Sequence, residues 1–295
     1  MEEKKRVNKT KIKKRSQMKS IWYRFKKNKL AMFGLILLII MVLIAIFADR
    51  FALYQKDAIE QNIAIRFQFP SRSHIFGTDQ YGRDVFARII FGSRISLFVG
   101  IVTVAISLAI GSVIGACAAY YGGKLDNVLM RIMDVFLAIP QTLMAISIVA
   151  ALGTNLKNLL IAMSIAFIPN FSRIVRSSIM QIKGQDFIEA AKACGTSDSR
   201  IIIKHIIPNA IGPIIVQATL NIARTIISIA GLSFIGLGVQ PPTPEWGTML
   251  SEGKENMRSY PYLVIMPGVA IMLAVLAFNL MGDGLRDALD PKLKN

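Results

Sequence analysis

The short run GTDQYGRD, residues 77–84, sets Thr78, Asp79, Arg83 and Asp84 beside Gly77 and Gly82. A hydroxyl, two carboxylates and a guanidinium at this spacing could hold a polar substrate or an ion, or could pair among themselves and fix a turn. Internal pairing of Arg83 with Asp84, ahead of the next apolar stretch, is the reading adopted. Arg224 raises a different chemistry. It falls near the middle of a long apolar stretch, where an unpaired cation costs several kcal/mol in lipid. It must therefore face a bundle interior or a water-filled route, where a substrate carboxylate could meet it, or pair with a carboxylate of another subunit. Other reactive groups are sparse. His74 and His205 have no cysteines or carboxylates at metal-ligand spacing, and Cys117 and Cys194 form no CxxC pair. No GxxxxGK[ST] string is present to cradle nucleotide phosphates. The chain is expected to be no enzyme, to bind no metal or cofactor of its own, and to rely on another chain if ATP drives it.

One further stretch combines charge, glycine and proline: EAAKACGTSDSRIIIKHIIPN, residues 189–209. Phe187, Ala190, Ala191 and Cys194 recur at i, i+3, i+4 and i+7, which places small apolar groups on one helical face beside Glu189 and Lys192. Gly195 supplies a stop, and Ser197 with Asp198 predicts the cap of a second short helix through Arg200. An alanine-lined knob of this kind can enter a groove on another protein, and it can equally be a plain connecting loop.

These residues must be positioned by membrane helices. Over 295 residues the chain is 53% hydrophobic with a mean hydropathy of +0.49, more apolar surface than one soluble core needs. Six apolar stretches, residues 30–48, 95–120, 128–152, 159–180, 211–239 and 262–281, are expected to span lipid as helices. The pair Gly111 and Gly115 in GSVIG predicts close approach of the second span to another helix. Formal net charge is +17, with much of the excess within residues 4–29, next to the first span. That position fits a cytoplasmic flank rather than nucleic-acid binding, and it puts both chain ends and the 181–210 segment inside. Trp22, Tyr23 and Phe25 among those cations fit a helix in the headgroup layer, or equally a plain basic anchor with no defined helix. Asp134 is expected to pair with Arg131 on its own helix.

The polar stretch, with EAA followed by Gly195 and ending in HIIPN, resembles the EAA loop of permease subunits in binding-protein-dependent ABC importers. HIFGTDQYGRDVFARIIFGSRISL, LSFIGLGVQPPTPEWG and FNLMGDGLRDALDPKL extend the resemblance to the C-type permease of dipeptide, oligopeptide and nickel importers. The resemblance implies an all-α membrane protein with six spans of the type I importer permease fold. It implies that the loop forms a coupling helix docking on an ATP-binding subunit, through Glu189, Ala190, Ala191, Gly195, Ser197 and Arg200. Its expected partners are a homologous B-type permease, two ATP-binding subunits that carry the ATP, an extracytoplasmic solute-binding protein, and membrane lipid. The chain divides into a basic cytoplasmic terminus (1–29), a first span (30–48), an extracytoplasmic loop (49–94), a core permease domain (95–281) and a cytoplasmic end (282–295). Small peptides are the expected cargo and nickel or another small solute the alternative. From other classes, an ion-driven secondary transporter would need acidic groups inside the spans, and a membrane scaffold would need only the knob. Ile229 stands where many relatives carry glutamate, so no role for that acid is carried over.

Overall fold

The computed structural model describes residues 17–289, and within them regular structure is helical apart from a single bridge between Thr78 and Asp84. The basic run of residues 4–15 and the final DPKLKN lie outside the described residues. Helix α1 (Gln17–Lys27) leads into α2 (Lys29–Ile46), which opens on an Asn28 cap whose side chain accepts the Ala31 amide at 3.1 Å. A short α3 (Ala48–Phe51), a π turn (Tyr54–Ile59) and a 3-10 turn (Ile63–Ile65) follow. Then comes α4 (Val85–Tyr121), unbroken for 37 residues and about 55 Å long at 1.5 Å per residue. The remaining helices are α5 (Gly123–Ala138), α6 (Gln141–Leu152), α7 (Leu156–Lys183), α8 (Asp186–Ala193), α9 (Asp198–Ile201), α10 (Ile207–Phe234), α11 (Trp246–Gly253) and α12 (Tyr262–Leu289).

Five stretches among the described residues are long and apolar enough to cross a bilayer alone, and α5 with α6 makes a sixth if counted as one span. That third span is not straight: α5 and α6 meet at 84°. Pro140 is the cause. It lacks the amide proton a continuing helix needs and forces Ile139 into extended backbone (φ −89°, ψ 126°). The second span starts ten residues before the expected boundary at Ile95, because Asp84 caps it by accepting the Ala87 amide at 2.9 Å. The fifth stops at Phe234, short of residue 239.

In lipid the helices gain little from leaving the solvent, so close van der Waals packing must hold them together. GSVIG supplies it between α4 and α7: a Cβ at Gly111 would lie 2.7 Å from that of Phe171, and one at Gly115 would strike the Ser172 carbonyl. Gly34 does the same for α2 against Leu280 of α12. The two largest cores lie around Val99, Met163, Phe167, Phe171 and Leu232 of α4, α7 and α10, and around Trp246, Tyr262 and Phe278 where α2, α4, α11 and α12 meet.

Candidate functional site

The alanine-lined knob exists as a folded unit at one end of the bundle. In α8 and its C-cap, Phe187, Ala190 and Cys194 are exposed together with Glu189, while Ile188 is fully buried and Ala191 turns half inward. The expected four-residue face is therefore three residues wide at the surface. Ile188 and Ile201 pin the loop from both helices into a cluster with Ala119, Tyr120, Ile179 and Ile206. Gly195 has φ +71°, the left-handed stop the sequence predicts. The Gly195 amide donates to the Lys192 carbonyl at 2.9 Å and the Thr196 amide to that of Ala191 at 3.2 Å, so two otherwise orphan helix-end carbonyls are satisfied. Ser197 stands at the cap position of α9 in extended backbone, but its side chain makes no cap bond. The expected second helix is also not separate. After α9 the chain passes through one π turn (Ile202–Ile206) directly into α10, and Arg200 stays exposed at that start.

Asp198 turns instead toward α4, whose Tyr120 hydroxyl donates to its Oδ1 at 2.5 Å, and Lys192 Nζ lies 5.4 Å above the same ring. The neighbouring ion pairs join α5 to α7. Arg176 holds Asp126 through both Nε and Nη2 at 2.6 Å, a bidentate fork. Asp134 pairs with Arg173 rather than with the expected Arg131, because an antiparallel neighbour offers a guanidinium at the same level.

Arg224 is exposed on α10 and makes no hydrogen bond or ion pair with any described residue. At helical spacing it shares a stripe with Gln217, Ser228 and Gly231, and a Cβ at Gly231 would meet nothing within 4 Å. The stripe carries a cation, an amide and a hydroxyl, with exposed Ile227 beside it.

Comparison with known proteins matches residues 107–295 to the family "Binding-protein-dependent transport system inner membrane component" and residues 16–70 to "N-terminal TM domain of oligopeptide transport permease C". This chain belongs to that permease family. It is 49% identical over 280 residues to the dipeptide transport system permease protein DppC of Alkalihalophilus pseudofirmus, covering 95% of this chain and 91% of that one. It is 45% identical to the glutathione transport system permease protein GsiD of Escherichia coli, covering 95% and 92%. An inward-facing MetNI methionine ABC transporter structure shares the fold over 69% of this chain and 97% of its own, with TM-score 0.59 and 18% identity. The protein is thus a multi-pass ABC importer permease of the C type, a membrane subunit and not an enzyme, which works with ATPase and binding-protein partners.

At the end of the permease opposite α8, the GTDQYGRD run is indeed a locked turn, with different partners from those expected. Arg83 pairs with Asp79 at 2.6 Å and with Glu252 of α11 at 2.8 Å, not with Asp84. Arg88 of α4 donates to the same Glu252 oxygen at 2.9 Å and stands 3.7 Å from Asp79. Asp84 caps α4 and binds His74 Nδ1 at 2.8 Å. Both guanidinium groups are buried, so the four charges neutralise one another inside protein. A second link joins the same elements: Ser96 of α4 donates to Glu245 Oε1 at 3.1 Å, and Trp246 Nε1 donates to the Ile89 carbonyl at 3.0 Å. Glu245 and Glu252 escaped the sequence reading. Glu245 just ahead of a short helical stretch, in position to cap it with Glu252 in its last turn, was the available signal.

Proposed function

We propose that this permease forms half of the translocation path of an importer for small peptides, opposite a homologous B-type permease and driven by two ATP-binding subunits. A binding protein delivers the cargo from outside. The observation that carries the coupling role is the outward face of Phe187, Ala190 and Cys194, held on a loop whose Ile188 and Ile201 are fully buried. A small apolar face on a rigid mount is what a cleft on a soluble ATPase can receive and push. Glu189, Ala190, Ala191, Gly195, Ser197 and Arg200 form or flank that mount. The cargo reading follows the two relatives, whose names give dipeptide and glutathione, both small peptides. In this account Arg224, exposed and unpaired along a polar stripe, meets the carboxylate of the passing peptide.

Sidedness follows the basic flanks: α8 and both chain ends lie in the cytoplasm of a cell whose plasma or inner membrane holds the subunit. The decisive experiment reconstitutes the complete complex in proteoliposomes and follows ATP-dependent accumulation of a labelled dipeptide, with glutathione and nickel as competitors. Dipeptide uptake that nickel does not suppress is expected. Uptake of nickel alone, or accumulation without ATPase subunits, would overturn the reading. Arg224→Ala is expected to assemble normally and to lose most uptake. Failure to assemble would assign Arg224 to the contact with the partner permease.

A further inference from the structure

We propose that Tyr120 is the pin through which movement of the α8–α9 loop reaches the opposite side of the membrane, with α4 as the rod. The proposal rests on the coupling role of α8 given above. Two independent contacts converge on this one side chain from the two halves of the loop: Lys192 of α8 over the ring face at 5.4 Å, and Asp198 of α9 accepting from the hydroxyl at 2.5 Å. At the residue just before it, Lys183 Nζ donates to the Ala119 carbonyl at 3.1 Å, holding the end of α7 to the same point. Tyr120 is therefore gripped between the elements that enclose the knob, on the last turn of α4.

The other end of α4 is held just as firmly. Arg88, Ser96 and the Ile89 carbonyl bind Glu252, Glu245 and Trp246 of α11. Between the two grips α4 is continuous, with no proline, and its two Gly-Ser pairs are each packed against a neighbour, Gly92 on Trp246 and Gly111 on Phe171, so displacement of one end is carried along one helix to the other. The helices beside it are less suited: α7, α10 and α12 each carry an internal proline, and α5 breaks from α6 at 84°. A push on α8 thus reaches α11 by one rigid helix with a defined hydrogen bond at its driven end. Tyr120 acts as a positioning residue, working through Asp198 and Lys192 on the loop.

The test uses the complete reconstituted complex and the dipeptide that the wild type accumulates, and reads dipeptide imported per ATP hydrolysed. Tyr120→Phe keeps the ring but removes the donor, and Asp198→Ala removes the acceptor. Each is expected to keep the ATPase subunits bound and hydrolysing, while the import ratio falls about fivefold, the scale of one hydrogen bond. The double variant is expected to be no worse than either single, and Asp198→Asn, which retains an accepting oxygen, to restore the ratio. An unchanged ratio in both single variants overturns the pin. So does a parallel fall in hydrolysis, import and thermal stability, which marks a structural contact only. Ala190→Arg separates this from the coupling role itself: its loss of ATPase binding together with a normal Tyr120→Phe removes the pin alone, whereas retained binding and normal import remove the coupling reading.

Discussion

Removing Glu252 isolates the stability held in the charged cluster opposite α8. One carboxylate oxygen receives Arg83 Nη2 at 2.8 Å and Arg88 Nη2 at 2.9 Å, and the two arginines are only 2% and 1% exposed. Glu252→Ala deletes two charge-assisted hydrogen bonds, each of about 1.5–3 kcal/mol, and leaves two buried cations with Asp79 as the one carboxylate beside them, Arg88 keeping only the Ala58 and Pro242 carbonyls besides. Breaking one side of such a buried arrangement costs about 3–5 kcal/mol, so that loss is expected for Glu252→Ala. Glu252→Gln keeps the shape and one accepting oxygen and should lose roughly 2 kcal/mol. The assay is reversible SDS unfolding of the purified chain in mixed micelles, followed by tryptophan fluorescence. Only two tryptophans are present, and Trp246 lies fully buried on the same helix as Glu252, so the signal reports the region directly. A Glu252→Ala variant within about 0.5 kcal/mol of wild type would refute the reasoning, since surface substitutions commonly fall in that range.

Four further outcomes are expected. Gly111→Leu should cost about 1–3 kcal/mol by overpacking against Phe171, whereas Gly231→Ala, with nothing within 4 Å, should be neutral or stabilising; melting of the two variants side by side checks this. Gly195→Val should strain the left-handed turn by about 1–2 kcal/mol and weaken co-purification of ATPase subunits, while Gly195→Asn should be milder. Cys194, exposed at the end of α8, should react with a membrane-impermeant maleimide in inside-out vesicles that hold the permease without its ATPase subunits and stay unlabelled in right-side-out ones; the reverse pattern would invert the sidedness. Asp126→Asn should loosen α5 from α7, and Arg176→Lys should not behave as conservative, because the bidentate fork is lost; limited proteolysis near Gly122 reads both.

Much of this architecture was legible in one dimension because each lipid-crossing helix is written as an apolar run, and Gly111 with Gly115 announced a close contact before its partner was known. Gly195 was equally readable, since a left-handed turn selects glycine locally. What failed was pairing at a distance. Arg83 was matched to its chain neighbour Asp84, and Asp134 to Arg131, because sequence displays only nearby partners. The real acceptors, Glu252 and Asp79 in one case and Arg173 in the other, are chosen by the way helices stack. Ser197 was assigned a cap on type and position, yet the tertiary contact of Asp198 with Tyr120 organises that turn. The 84° break at Pro140 was obscured for a related reason: proline is tolerated inside α7, α10 and α12, and only the surrounding packing decides where it bends the chain.

The unbroken length of α4 carries an evolutionary corollary. Arg88 and Tyr120 must each meet fixed neighbours, and their angular phase around one cylinder is set by the number of residues between them. Inserting a single residue in that interval would swing one end by about 100° and slide it by about 1.5 Å, so both ends could not stay engaged. Substitutions along the lipid-facing side should drift freely among descendants of this gene, while gains or losses of even one codon between these positions should be purged.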